Sequence, residues 1–266
     1  MSIKIRFLRP VFPTFFRRGK VTIEANFWWD IFLISLYNYI KMSNTVSVIL
    51  PCYNEKNRII PVIDQIKKVS IVNEIIVVDD GSKSSTKKIL RQIKGIKLIT
   101  HPKNKGKTQA IKTGVDNSTS DILVFIDSDL KNFKDIHLIS LLNPILKNKY
   151  DLILSQKEKM PFHTRLSGFS IAYTGERAIK KKLLLKYPEI FKNQGYLLEA
   201  SFNKIFFKNY RVGKIFLEDV SQWSKTNKSG INGSLNDIKM LIKIIRFLGI
   251  KEFISQMNFA QKIPNC

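Results

Sequence analysis

Two aspartates, Asp127 and Asp129, stand at the end of the apolar run "LVFIDSDL". Carboxylates beside a buried strand are costly unless a positive partner takes up their charge. Side chains at i and i+2 leaving a strand point the same way, so the pair suits a divalent metal held by hard oxygen ligands, Mg2+ or Mn2+. The plainer reading is a strand-end Asp that caps the next turn. Residues of similar character close other apolar runs. Pro51, Cys52, Tyr53, Asn54 and Glu55 follow "VSVIL", while Asp79, Asp80, Gly81 and Ser82 end "EIIVVDDGS". The lysine-rich "HPKNKGKTQA" follows "IKLIT". Acids, an amide, an aromatic and lysines together describe a pocket for a planar base, hydroxyls, phosphates and a divalent cation.

These residues converge only if the apolar runs are neighbouring strands. The runs at 46–50, 74–79, 96–100 and 121–127 are short and continuous, and stretches of helical period at 57–69, 84–94 and 107–117 separate them. Ile59, Ile63, Ile66 and Val69 form one apolar face of the first such helix. This alternation predicts an α/β fold with a Rossmann-like, mostly parallel sheet covered by helices on both faces. Ligands of such sheets sit outside the carboxyl ends of the strands, where the residues above collect. Further on, the sequence predicts a helix after 135, a strand in "YDLILS" and a basic helical stretch over 164–186. A late strand in "GKIFLEDV" and the polar loop "SKTNKSGINGS" follow. The tail from Leu235 to about Leu248 reads as a helix with Asn236, Lys239, Lys243 and Arg246 on one stripe.

The expected organisation has three parts: a basic and apolar extension over 1–43, a domain over 44–232 and a basic amphipathic helix over 233–266. The domain divides into a half that carries the strand-end residues above, 44–135, and a second half, 136–232. Within the extension, "FWWDIFLISLYNYI" at 27–40 reads as a buried or interfacial helix, and Met42 offers an alternative start that makes the preceding residues an appendage.

The 266 residues carry 45 Lys and Arg against 21 Asp and Glu, a formal charge of +24. Such a balance points to polyanions; a Lys-, Asn- and Ile-rich genome accounts for it equally well. A nucleic-acid-binding protein would interleave base-stacking aromatics among its lysines. Here the Phe residues keep core-like spacing, so no nucleic acid is expected. The two cysteines make neither a disulfide framework nor a metal spacing. No run reaches the roughly 18 uncharged apolar residues of a membrane span, and no cleavable signal follows the basic first twenty residues. The expected location is the cytoplasm or the cytoplasmic face of a membrane, where a basic helical stripe suits an anionic surface.

Two other nucleotide readings fail on particular residues. "GKT" at 106–108 looks like the end of a P-loop, but that motif needs glycine at 101, where the chain has His101 followed by Pro102. Nor does a G-x-G-x-x-G follow the first strand, which excludes a Rossmann dinucleotide site.

The blocks "VSVILPCYNE", "EIIVVDDGS", "NKGKTQAIKTG" and "ILVFIDSDL" resemble, in order and spacing, the N-terminal half of family 2 glycosyltransferases of the GT-A fold. A D-x-D alone is a weak pattern; four blocks in register over 46–130 are specific. The later blocks "YTGERAIKKKLL", "GYLLEASFN" and "SQWSKTNKSG" are similar, more loosely, to the acceptor half of members that use lipid-phosphate or phosphoglycerate acceptors. The resemblance implies metal-dependent transfer of a sugar from a UDP- or GDP-sugar to an acceptor hydroxyl or phosphate. It implies that Asp129 is the direct metal ligand, with Asp127 nearer the ribose, and that Asp80 reads the base while Asp79 holds the loop. Pro51 and Tyr53 then lie near the base, Glu55 near the ribose and Lys107 at the ribose or phosphates, with Lys103 and Lys105 solvated. The family's usual acidic pair is missing from its place in the second half. Glu199 stands there alone as general base, and Glu218 and Asp219 come too late in the chain, which leaves inversion or retention open. Lys225 and Lys228, in the polar loop, are placed to close on the diphosphate or an acceptor phosphate.

Overall fold

A computed structural model describes residues 44–157, 169–193, 195, 197–222 and 231–266, with side chains omitted over 231–238. The N-terminal extension and its apolar helix lie outside the described residues. Residues 44–266 form one compact unit.

The first four apolar runs are strands: β1 (Val46–Cys52), β2 (Val72–Asp79), β3 (Lys97–Thr100) and β4 (Ile122–Phe125). Helices α1 (Ile59–Lys67), α2 (Ser84–Gln92) and α3 (Lys107–Asp116) connect them. The short β5 (Leu130–Lys131), helix α4 (Asp135–Leu146) and strand β6 (Leu152–Lys157) follow. One helical turn, α5 (Phe169–Ala172), leads to strand β7 (Arg177–Lys180) and the turn α6 (Lys181–Leu184). Helix α7 (Leu197–Asn209), strand β8 (Val212–Leu217), the short β9 (Ser221–Gln222) and helices α8 (Ile231–Leu248) and α9 (Ile250–Lys262) complete the unit.

Seven strands make one sheet in the order β3-β2-β1-β4-β7-β6-β8. β1 pairs in parallel with β2 and β4, β2 with β3, and β6 with β8. Only β7 runs against its neighbours β4 and β6. The expected mostly parallel sheet is therefore present, with one reversed strand inside it, between β4 and β6.

Alternation along β1 divides the core between the two faces. Val46, Val48 and Leu50 pack with Ile59, Val62, Ile63 and Ile66 of α1 and with Leu138, Leu141 and Leu142 of α4. Ile49 joins Ile76 and Val78 against Ala110, Ile111 and Val115 of α3 and against Phe202 and Phe206 of α7. Each fully buried Ile, Leu or Phe contributes about 1.5–3 kcal/mol, so both faces hold β1 centrally.

Residues 164–168 of the expected helix over 164–186 lie outside the described residues, and the structure corrects the remainder: Arg177–Lys180 is a strand, flanked among the described residues by single turns of helix. "RAIKKKLL" has good helix formers, but Leu123 and Val124 of β4 pair opposite Ile179 and Ala178, both fully buried. The sheet ladder overrides local propensity. At the C-terminus the helix expected over 233–266 is interrupted at Gly249 into α8 and α9, and the tail is integral to the core: Ile244, Met257, Ala260 and Ile263 are all buried in it. The chain then runs along β8, where Lys214 N donates to Pro264 O at 3.0 Å and Cys266 N to Lys214 O at 2.9 Å.

Helix α3 reaches the sheet through Gly114, where an added Cβ would lie 2.4 Å from Cγ2 of Ile49. Gly114→Ala is expected to destabilise by about 1–3 kcal/mol through overpacking. The measure is a lowered urea midpoint at unchanged slope; an unmoved midpoint would mean that α3 slides freely on β1.

Candidate active site

The chain winds from β1 outward to β3, then returns to place β4 on the other side of β1. That reversal opens a crevice at the carboxyl ends of β1 and β4. Tyr53 and Glu55 leave one strand there, and Asp127 to Asp129 leave the other. β4 ends at Phe125, two residues before the expected limit, yet Asp127 and Asp129 both line the crevice, together with Ser128. Because β7 is reversed, its amino end lies at the same edge. It brings Thr174 and Gly175 to a cleft of about 770 Å3.

Pro51, Tyr53, Glu55, Asp80, Lys107, Asp127, Asp129 and Glu199, expected from sequence, all line this cleft. Lys225 and Lys228 lie outside the described residues. Tyr53 is exposed rather than core. Glu55 is buried, with Arg58 Nη1 at 3.5 Å. Burial pushes the neighbouring Cys52 thiol up to about 12, so it remains a neutral wall of the site.

The loops after β1, β2 and β3 are tied to one another. Asn54 N donates to Ser82 Oγ at 2.9 Å, and Lys83 N donates to Asn54 Oδ1 at 2.8 Å. Asp79 holds its own loop, as expected, by accepting from Ser82 N at 3.0 Å. Asp80 does more than face a ligand. Its Oδ1 accepts from Lys105 N at 2.9 Å and from His101 Nδ1 at 2.7 Å, and its Oδ2 accepts from Gly106 N at 2.8 Å. A carboxylate has about four acceptor positions, so one on Oδ2 remains for a further donor. Gly81 has φ +73°, and a Cβ there would meet the backbone of Lys103 at 2.4 Å. The glycine of "VDDGS" is thus required by the close approach of the next loop. Lys103 and Lys105 are exposed, as expected.

Lys107 opens α3 and points its ammonium at both halves of the site. Its Nζ lies 2.7 Å from Asp127 Oδ1 and 3.6 Å from Glu199 Oε1. Burial disfavours that charge, but Asp127 and Glu199 outweigh it and hold the Lys107 pKa above the ordinary lysine range. Gln222 Nε2 donates to the other oxygen, Asp127 Oδ2, at 3.0 Å. Glu199 is buried on α7, and its Oε2 has no hydrogen-bond partner.

Lys157, Gly175 and Gln222 are among the cleft residues that stand outside the expected set. Lys157 pairs at 2.9 Å with Glu176, whose other oxygen accepts from Ser155 Oγ at 3.0 Å and Thr174 Oγ1 at 2.8 Å. It ends β6, so following that strand two residues further identifies it. Gly175 was legible only as part of "YTGER". Gln222 left no signal, because it reaches the cleft by pairing β9 with β5, Gln222 opposite Leu130. Arg177, beneath the cleft, is buried. Its guanidinium donates to the carbonyls of Thr174 and Ala172 and to Asn203 Oδ1. Burial pushes it down to about 10, against the opposing charge of Glu199.

Fold and site together define a GT-A-type α/β protein with an acidic cleft at the switch point of its sheet. Glycosyl transferase family 2 is matched over residues 47–207, more than half of the chain. The chain belongs to that family. Among curated relatives, it is 35% identical over 116 residues to glucosyl-3-phosphoglycerate synthase of Mycobacterium tuberculosis, covering 40% of this chain and 35% of that one. It is 28% identical over 155 residues to dolichol-phosphate mannosyltransferase of Pyrococcus furiosus, covering 54% and 44%. The matches thus span less than half the length of either relative. Crystal structures of the M. tuberculosis synthase share the fold. The complex with phosphoglyceric acid superposes with TM-score 0.63 at 23% identity, covering 85% of this chain and 84% of that one. The complex with Mn2+, uridine diphosphate and phosphoglyceric acid gives 0.62 at 23% identity, covering 84% and 82%.

Gly175 sets how closely β7 approaches the ion pair. A Cβ there would lie 2.7 Å from Lys107 Nζ and 2.7 Å from Asp127 Oδ2. Gly175→Ala is expected to destabilise the fold by about 1–3 kcal/mol, since overpacking falls directly on the pair. Urea unfolding alongside thermal melting is the measurement; an unchanged midpoint would show that the pair yields without loss.

Proposed function

We propose that the chain is a metal-dependent hexosyltransferase moving a sugar from a UDP- or GDP-sugar to a hydroxyl or phosphate of an anionic acceptor. The observation that carries this reading is the convergence of Asp80, Lys107, Asp127, Asp129 and Glu199 on one cleft. Asp80 has one acceptor position left for a base N–H, and Tyr53 offers an exposed ring in the same cleft. Glu55 serves the ribose, and Lys107 serves the diphosphate. Glu199, buried on α7, takes the proton of an acceptor hydroxyl.

Asp129 and Asp127 would hold Mg2+ or Mn2+. Among the described residues no group of three or more His, Cys, Asp or Glu could hold a metal alone. Two carboxylates fit an ion that takes its remaining ligands from a diphosphate. When bound, such an ion neutralises charge on the departing diphosphate. Asp129→Asn is expected to lower transfer at least about a hundredfold, the scale of several kcal/mol of lost charge stabilisation, without lowering the melting temperature. The assay is a nucleotide-sugar screen with Mn2+ or Mg2+, run with polyprenyl phosphate, with phosphoglycerate and with neither. Turnover in excess chelator, or wild-type turnover in the variant, overturns the metal role.

The acceptor reading is supported by Lys157, a second cation in the cleft, and by the outer surface of the C-terminal helices. Lys239, Lys243 and Arg246 are exposed on α8, while the side chain of Asn236 lies outside the described residues. Ile242 on α8 and Ile250 and Ile254 on α9 are exposed too, at 42%, 66% and 50%. Among the described residues no helix is long and apolar enough to cross a membrane. Basic and apolar side chains together suit peripheral contact with an anionic bilayer, where each Lys or Arg contributes about 1 kcal/mol. A lipid-linked acceptor is therefore the first reading, and a soluble phosphoglycerate-type acceptor the second. Cosedimentation with anionic vesicles should exceed that with neutral ones, fall with salt, and fall again when Lys239, Lys243 and Arg246 become Gln. Equal partitioning to both, or none at low salt, favours the soluble acceptor.

A further inference from the structure

Resting on that reading of the cleft, the contacts of Lys107 suggest a role beyond holding phosphate. Asp127, one of the two carboxylates offered to a metal, already carries a positive charge on Oδ1, from Lys107 Nζ at 2.7 Å. Its Oδ2 accepts an amide hydrogen from Gln222 at 3.0 Å. Gly175 walls in the pair, since even a methyl group there would lie 2.7 Å from the ammonium. The ammonium has a second pole, Glu199 Oε1 at 3.6 Å. It can leave Asp127 without becoming an unpaired buried cation.

We infer that Lys107 is a tethered counter-ion that keeps a divalent cation off Asp127 until a nucleotide diphosphate draws the ammonium away. An ammonium and a metal at the same carboxylate repel each other, so the metal gains Asp127 only when Lys107 has another anion to meet. The diphosphate is that anion, and it brings oxygen ligands for the metal at the same time. Metal and nucleotide then raise one another's affinity by the same factor, as linkage requires.

The test is Mn2+ binding to the full chain, by calorimetry and by electron paramagnetic resonance, with and without uridine diphosphate. Wild-type protein should bind Mn2+ at least about tenfold more tightly when the nucleotide is present, within the usual range of coupling between sites. Lys107→Met and Lys107→Gln should bind Mn2+ alone about tenfold more tightly than wild type and lose most of that coupling. Mn2+ should also raise the melting temperature of these variants more than that of wild type. Lys112→Met, which breaks only an exposed pair with Asp116 on the same helix, should behave as wild type. Nucleotide-dependent Mn2+ binding in wild type with no gain in the two neutral variants overturns the inference alone. Absence of Mn2+ binding to wild type even with the nucleotide overturns the metal reading and the inference with it.

Discussion

The carboxylate of Asp80 fixes the position of much else in the cleft. It is almost fully buried, and it takes the backbone N–H groups of Lys105 and Gly106 together with the ring of His101. A helix begins with N–H groups that lack intrahelical partners. Here the acid supplies acceptors just before α3 and holds Gly106 as its cap, with φ +91°. Lys107 is the next residue, so the direction of its side chain is inherited from Asp80. His101 extends the tie into the helix by bonding Thr113 Oγ1 at 2.9 Å. The residues after β2 therefore govern where the ammonium after β3 meets the carboxylate after β4.

The acceptor side is built on a different principle. Glu176, Arg177 and Glu199 are buried within one short stretch of space, where unpaired charges would be severely penalised. Glu176 is answered by Lys157 and two hydroxyls. Arg177 is answered largely by carbonyl and amide oxygens, with the ring of Phe202 5.4 Å from its guanidinium carbon. Such a network costs desolvation energy but leaves its members few alternative positions. It gives the cleft a floor of fixed dipoles and charges, on which Glu199 and the Lys107–Asp127 pair rest. The reversal of β7 makes this possible, because a parallel strand would carry these residues to the other end of the sheet.

Legibility in the sequence followed burial. β1, β2 and β4 are covered on both faces and so are written as continuous apolar runs; their ends could be found to within about two residues. The acids and lysines after those strands were visible because the carboxyl edge of a parallel sheet is where ligands sit. β7 was not visible. It has four residues, two of them charged, and it is a strand only because β4 and β6 leave a gap for it. The Gln222 contact depends on a two-residue ladder between β5 and β9, shorter than any periodicity can register. Asp80 shows a subtler limit. Its place at the site was evident, but its three donors come from a loop 21 to 26 residues away, and no local pattern encodes them. The role of α9 was hidden for a similar reason, since Met257 and Ala260 matter only through the distant helices they meet.

The last residues of the described chain lie along β8, with Asn265 bridged in parallel to Lys214. Strand edges are templates on which a second molecule can add itself. At β8 that template is already occupied from within, so its hydrogen-bonding capacity is partly spent before any stranger arrives. The other border, β3, is four residues long, begins with an exposed lysine and ends in an exposed threonine. A sheet bounded in this way is poor at recruiting copies of itself. The carboxyl edge can thus stay open and polar for ligands while the lateral borders resist self-association.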